Sequence, residues 1–221
     1  MTRVRADLFV SLDGYQPDDP SPDDPMGADW PRLTAAWTAT RTFRERVLGG
    51  AGGSTGLDDA HARAFLDGIG AEIMGAGMFG LHAFPDDPDW TGWWGDRPPF
   101  GTPVYVLTHT APRPPVTMEG GTTFHFRAAS LQDVLVEARE AAAGRDVRVG
   151  GGFSTAHAFL RAGLVDRLHV MVAPVVLGRG HRLWEDLRGL ELTHAVTSEV
   201  ADSGTVHVTF DRVASAPAET G

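Results

Sequence analysis

The chain has 221 residues, a formal net charge of −10 and no cysteine. That length suits one large domain or two small ones and buries roughly 70% of the unfolded surface, so no metal or disulfide staple is needed. The missing cysteine excludes disulfides, thiolate metal sites and a Cys nucleophile. The acidic balance opposes nucleic acid and anionic membranes.

The opening "MTRVRADLFVSLDGY" has too short an apolar run for a signal peptide, and no stretch nears the roughly 20 apolar residues of a membrane span. A cytoplasmic location is expected. Val4 to Leu12 mixes β-formers and reads as a strand ending at the turn pair Asp13-Gly14. A Pro/Asp-rich loop follows to about Met26. Leu33, Trp37, Phe43 and Val47 recur at helical intervals, predicting a helix from Pro31 to Leu48. "GGAGGSTG" (49–56) reads as a flexible interruption. Asp58 or Asp59 then caps a helix to about Leu66.

"AEIMGAGMFG" (71–80) predicts a short strand meeting a glycine-rich turn; "PVYVLT" (103–108) and "TTFHF" (122–126) predict two more strands. Ser130 opens a helix with Leu131, Val134, Leu135 and Ala138 on one face. The strand Val147–Val149 meets three glycines, and a helix runs from about Ser154 to Ala162. "DRLHVMVAPVVLG" (166–178) reads as a central strand. Asp202-Ser203-Gly204 turns a C-terminal antiparallel hairpin. Residues 1–213 thus predict one α/β domain with a mostly parallel sheet and an antiparallel edge, and 214–221 a disordered tail.

In such sheets ligands bind beyond the carboxyl ends of the strands. Ser11–Gly14, Gly75–Phe79, Thr108–His109 and Gly150–Thr155 all fall there. Glycine lets a ligand approach the backbone, and the helix after Gly152 offers unpaired N–H groups suited to phosphate. The plainer reading of the triple glycine is close strand–helix packing. Nine histidines lack HExxH or close paired spacing, so no metal site is expected. Strand alternation would let His169 and His207 point outward. The run "DWTGWWGDRPPF" (89–100), with Trp93 and Trp94, either packs on itself or walls a pocket for a flat apolar substrate, with Trp30 and Trp37 joining the same wall.

"FVSLDGY", "IMGAGMF", "PVYVLTH", "VRVGGG" and "GLVDRLHVMVAPVVLGRG" together resemble the dihydrofolate reductase-like proteins related to the reductase domain of riboflavin biosynthesis. "WWGDRPPFGTPVYVLTH" and "EGGTTFHF" resemble a stand-alone bacterial branch of that family. The resemblance covers about residues 3 to 212. It implies a reductase passing hydride from NADPH to a small substrate, and a homodimer formed near the C-terminal strands. Gly150, Gly151, Gly152, Phe153, Ser154 and Thr155 would cradle the coenzyme's phosphates. Gly75, Ala76, Gly77 and Met78 would approach its other side, Thr108 and His109 would lie near the adenosine half, and Leu177 and Gly178 would help close the pocket. Asp13 would face nicotinamide and substrate, orienting the substrate or relaying a proton; equally, it is a turn-forming Asp-Gly pair.

The family commonly has Gly-Arg-basic-Met/Thr-Phe where this chain has Gly75-Ala76-Gly77-Met78-Phe79. The missing cations are the groups expected on the 2′-phosphate that separates NADPH from NADH. A charge-assisted contact contributes about 1.5–3 kcal/mol, so the loss lowers affinity roughly 10- to 150-fold and leaves NADH open. Arg113, a few residues past the third strand, is a candidate substitute that nothing in the sequence places. Riboflavin-pathway and folate substrates are anionic, and the pocket-side segments show few cations for them. Two rival readings follow from the same residues: a coenzyme-free cyclase, isomerase or ring-opening enzyme, and a non-catalytic small-molecule-binding protein.

Overall fold

Alternation along Val4–Ser11 sends Val4, Ala6, Leu8 and Val10 to one face of a sheet and Arg5, Asp7, Phe9 and Ser11 to the other. This strand, β1, organises the computed structural model, which describes residues 2–17, 27–81, 89–110 and 113–213. The expected tail 214–221 and most of the acidic loop before Met26 lie outside the described residues.

In chain order the elements are β1, β2 (Tyr15–Gln16), α1 (Trp30–Thr38), α2 (Arg41–Arg46), α3 (Leu57–Leu66), β3 (Ile69–Gly75) and α4 (Ala76–Phe79). Then come β4 (Pro103–Leu107), β5 (Val116–Thr117), β6 (Thr123–Arg127), α5 (Leu131–Ala141), β7 (Asp146–Gly151) and α6 (Phe153–Arg161). The chain closes with β8 (Arg167–Ala173), β9 (His181–Arg182), α7 (Leu190–Thr193), β10 (His194–Val200) and β11 (Val206–Arg212). Nine strands form one sheet in the order β10-β11-β8-β1-β7-β3-β4-β6-β5, and β2 pairs with β9 apart from it. The run from β8 to β6 is parallel; β10, β11 and β5 join antiparallel. The predicted α/β class, parallel centre and closing hairpin are all present.

One face buries Val4, Ala6, Ile73, Val147 and Leu168 beneath Val134, Leu135 and Ala138 of α5 and Ala156 and Phe159 of α6. Ser130 caps α5 as expected, accepting from the Asp133 amide. The other face is divided. Phe9 and Met171 pack under Leu33 and Trp37 of α1, while Met74, Val104, Phe124 and Phe126 pack around Phe79 of α4. Between these apolar patches lie charges. Arg148 holds Glu72 in a bidentate pair at 2.9 and 2.5 Å, both side chains at most 5% exposed, and its guanidinium lies over Phe65. Burial nonetheless pushes the Glu72 carboxyl up.

Two helix predictions need correction. The expected Pro31–Leu48 helix is two helices, because Thr40 is extended and caps α2 through its hydroxyl, which accepts from the Phe43 amide. The glycine run 49–56 is also docked rather than a free interruption. Arg41 and Ala39 exchange backbone hydrogen bonds with Ser54, and a Cβ on Gly53 would sit 2.7 Å from the Arg41 nitrogen. Neither Asp58 nor Asp59 caps α3, whose N-cap is Gly56. Asp59 instead accepts from the Thr42 amide at 2.8 Å, tying α3 to α2.

Removing one partner of a buried ion pair costs about 3–5 kcal/mol, whereas replacing both by apolar groups is near neutral. Arg148→Met should therefore lower the unfolding free energy by about 3–5 kcal/mol, and Glu72→Leu/Arg148→Met should regain most of it in denaturant titrations. A double variant as unstable as the single one contradicts this account of the pair.

Candidate coenzyme and substrate site

β8, β1, β7, β3 and β4 are neighbours and run parallel, so their carboxyl ends share one edge. Along that edge the structure sets Leu177 and Gly178, then Asp13, Gly150–Thr155, Gly75–Met78 and Thr108–His109. The two glycine-rich turns interlock. A Cβ on Gly75 would lie 2.3 Å from Thr155 Oγ1, and the Met78 sulfur lies 3.3 Å from where a Cβ on Gly151 would be. Gly151 has φ of +122°, and its peptide to Gly152 is cis. Gly150 leaves room for the Glu72 carboxylate, 3.3 Å from its absent Cβ.

Gly152 is the N-cap of α6 and no side chain caps it; the first helical bond runs from Ala156 to the Gly152 carbonyl. Helix geometry leaves the amides of Phe153, Ser154 and Thr155 without intrahelical acceptors. The Phe153 ring is stacked between His157 and His181, at 5.1 and 4.9 Å. A junction of three glycines at an uncapped helix start fits a diphosphate. Close packing is real as well: Gly75 makes room for Thr155 of α6, and Gly151 for Met78 of α4.

Asp13 is exposed, and both its oxygens are engaged. Oδ1 accepts from the Ser11 hydroxyl at 2.6 Å and the Leu177 amide at 3.1 Å; Oδ2 accepts from the Gly178 amide at 2.8 Å. The Ser11 hydrogen bond, followed by the two amides, draws its pKa down to about 2. Asp13 thus latches the loop after β8 onto the loop after β1, as the pairing of β2 with β9 also does. Gly180 permits that approach, since a Cβ there would collide with the Gln16 carbonyl at 1.9 Å.

The four tryptophans do not share one wall. Trp30 and Trp37 meet Phe9 edge-on over β1 and β8, with Val175 and Leu177 beside them. Trp94 stacks on Phe124 over β6, Trp93 lies against Gly80, and the Trp90 indole donates to the Phe79 carbonyl. The strands β7 and β3 separate the two groups. Sequence could not show this, because which strand each loop packs on is set by strand order. Thr108 is buried and hydrogen-bonds to Thr110, while His109 is exposed.

The RibD C-terminal domain family matches residues 2–207. The chain belongs to that family. It is an oxidoreductase accordingly, and the family works with a nicotinamide coenzyme. Comparison with curated proteins gives no match. Solved structures share the fold at low identity. A protein assigned to riboflavin biosynthesis from Shewanella sp. PV-4 is 20% identical with a TM-score of 0.58, covering 96% of this chain and 100% of the other. A pyrimidine reductase-like protein from Corynebacterium diphtheriae is 14% identical with a TM-score of 0.50, over 96% and 92%. RibD from Acinetobacter baumannii is 16% identical with a TM-score of 0.51, and 97% of this chain covers 59% of it.

The cation-free pair Ala76-Gly77 has a structural side. Ala76 is 4% exposed and part of the core around Phe79; Gly77 is exposed and carries no side chain. Arg113 lies close by, with its guanidinium 4.7 Å from the Phe126 ring and 5.6 Å from Phe79, donating to the Trp90 carbonyl. On the Asp13 side, Arg32 and Arg179 both grip Asp29, and Arg182 donates to the Tyr15 hydroxyl. Of these, Arg32 and Arg179 meet only in the fold, at Asp29.

His169 and His207 correct the sequence reading. They do not point outward; they are 4% and 2% exposed, because β8 and β11 lie beneath α3 on that face. His61 of α3 stacks on both rings, with centroids 4.5 and 4.0 Å away. Burial, then the neighbouring imidazoles, holds His61 down at about 4, and burial also lowers His207 against the pull of Asp58. No local spacing could have found a cluster drawn from residues so far apart in the chain.

Two tests follow. Gly75→Ala should cost about 1–3 kcal/mol by overpacking. Gly75→Ala/Thr155→Ala should recover it, because the next atom, Thr155 Cβ, is 3.5 Å away; failure of the second change to rescue thermal stability contradicts the interlock. The Asp13 latch is complete above the ordinary aspartate value of 3.8 and is lost only as pH falls through about 2. Asp13→Asn should therefore lower kcat/KM without removing any limb of the profile between about pH 5 and 9. Disappearance of such a limb would make Asp13 a proton relay.

Proposed function

We propose that the protein is an NAD(P)H-dependent reductase of a small, flat or heterocyclic molecule, bound along the carboxyl edge of the sheet. The observation that supports it is the contiguity of four strand-end turns around the uncapped start of α6. The amides of Phe153, Ser154 and Thr155 would hold the diphosphate, with Gly150, Gly151 and Gly152 admitting it to the backbone. Met78 would floor that contact beside Gly75, Ala76 and Gly77, with Thr108 and His109 at the adenosine end. The coenzyme supplies a hydride when bound.

Asp13 positions Leu177 and Gly178 rather than donating a proton, since its carboxylate is ionised at neutral pH and both of its oxygens accept from neighbouring donors. Trp30, beside Leu177 and over Phe9, is the aromatic wall nearest that loop, and Trp37 supports it from below. Trp93 and Trp94 act at one remove by packing α4 and β6 together. The choice between NADPH and NADH rests on Arg113, the cation held against Phe79 of α4. Val196 and Val200 on the outer strand β10 are 47% and 70% exposed, which supports a homodimer through the C-terminal strands. A cation-free Ala76-Gly77 favours one other reading, an enzyme that uses the same edge without coenzyme.

Nicotinamide fluorescence titrations should show binding of NADPH, and of NADH more weakly. Arg113→Ala should weaken NADPH about 10- to 150-fold and leave NADH nearly unchanged. No change with either coenzyme at about 1 mM, the top of the usual KM range, defeats the reductase reading in favour of the coenzyme-free one.

A further inference from the structure

His61 from α3, His169 from β8 and His207 from β11 each offer a ring nitrogen within 4.8 Å of the other two. Carboxylates fix the outer nitrogens of two rings. His169 Nδ1 is 3.2 Å from Asp7 Oδ1, and His207 Nε2 is 2.9 Å from Asp58 Oδ1. An ionised carboxylate only accepts, so each outer nitrogen carries its ring's proton. In neutral rings the inner nitrogens, His169 Nε2 and His207 Nδ1, both present lone pairs, and they face one another at 3.1 Å. A shared proton or a bound metal cation removes that repulsion.

Two imidazole nitrogens bound to one tetrahedral ion at about 2.0–2.1 Å sit roughly 3.3 Å apart, close to the separation seen. The carboxylates behind the rings are the groups that fix the tautomer of metal-bound histidine and raise its basicity. The His61 ring is stacked over both and must turn its nitrogen toward them to complete the set; Glu199 stands 3.4 Å from its Nε2. Asp7, Asp58 and Glu199 outweigh Arg5, the cation that faces the cluster; Arg148 is occupied by Glu72. Asp7 is 7% exposed, and its Oδ2 has no hydrogen-bond partner. A cleft of about 210 Å³ lined by Arg5, Asp7, His61 and His169 reaches the cluster. Its other walls include Arg3, Asp146 and Arg167 at the amino ends of β1, β7 and β8, opposite the proposed coenzyme edge.

We propose that this cluster binds one divalent transition-metal ion of the kind that favours imidazole, such as zinc, cobalt or nickel. His169 Nε2, His207 Nδ1 and His61 are its ligands, and a fourth position opens to the cleft. The ion ties α3 to β8 and β11, and the assignment is independent of the reductase reading.

Chelator-treated protein titrated with zinc by calorimetry, and with cobalt by visible absorption, tests the assignment. One equivalent should bind at about micromolar affinity or tighter, with the d–d bands of four-coordinate cobalt. His207→Asn should abolish uptake. Asp58→Asn, at the first turn of α3 and outside the ligand set, should keep the fold by circular dichroism and weaken binding about 10- to 100-fold. Imidazole nitrogen resonances of His169 and His207 should shift together on adding zinc. No uptake, uptake unchanged in both variants, or a proton shared between the two inner nitrogens that persists with zinc present overturns the proposal.

Discussion

Two loops can lie side by side at the end of a parallel sheet only where nothing projects between their backbones. Gly75 and Thr155 set that condition here, because the Thr155 hydroxyl occupies the space a Cβ on Gly75 would need. The contact draws the turn after β3 against the turn after β7, and Met78 then lies over Gly151 and Gly152. With those turns joined, α6 leaves the sheet with its first amides lacking intrahelical acceptors at the shared edge. Asp13 does the same for the neighbouring pair of loops, using a carboxylate where the other junction uses missing side chains. The edge is therefore assembled by two close approaches, and each depends on a residue that would be unremarkable elsewhere.

The face of the sheet beneath α1 and α3 follows a different logic. Its two apolar patches are separated by a polar band in which Glu72 pairs with Arg148 and Asp7 with His169. Charges so deeply buried are tolerable only when each has a fixed partner, and the strand register supplies those partners: Glu72 lies opposite Arg148, and Asp7 opposite His169. The band also lies between the two proposed sites: the coenzyme edge at the carboxyl ends of the strands, and the histidine cluster with its cleft toward their amino ends.

Most of the fold was legible in the sequence because its signals are local. Apolar runs punctuated by glycine marked β3, β4 and β7, Ser130 marked the start of α5, and Asp202-Ser203-Gly204 marked the last hairpin. The strand-end turns were legible too, since a parallel sheet places every carboxyl end together. What failed was non-local. The break at Thr40 depends on Ser54 docking against it, and Asp59 serves Thr42 instead of its own helix. The burial of His169 and His207 depends on α3, and the division of the tryptophans depends on strand order. A carboxylate in an Asp-Gly turn gives no sign in sequence that it accepts from two distant amides, as Asp13 does.

The central claim is that main-chain amides at the start of α6 grip the coenzyme's diphosphate. Amide nitrogen–proton correlation spectra recorded during an NADPH titration test it most directly. The account predicts the largest shifts at Gly151, Gly152, Phe153, Ser154 and Thr155, with smaller ones at Gly75 to Met78. Shifts confined to the amino ends of the strands, around Arg5 and Arg167, would contradict it.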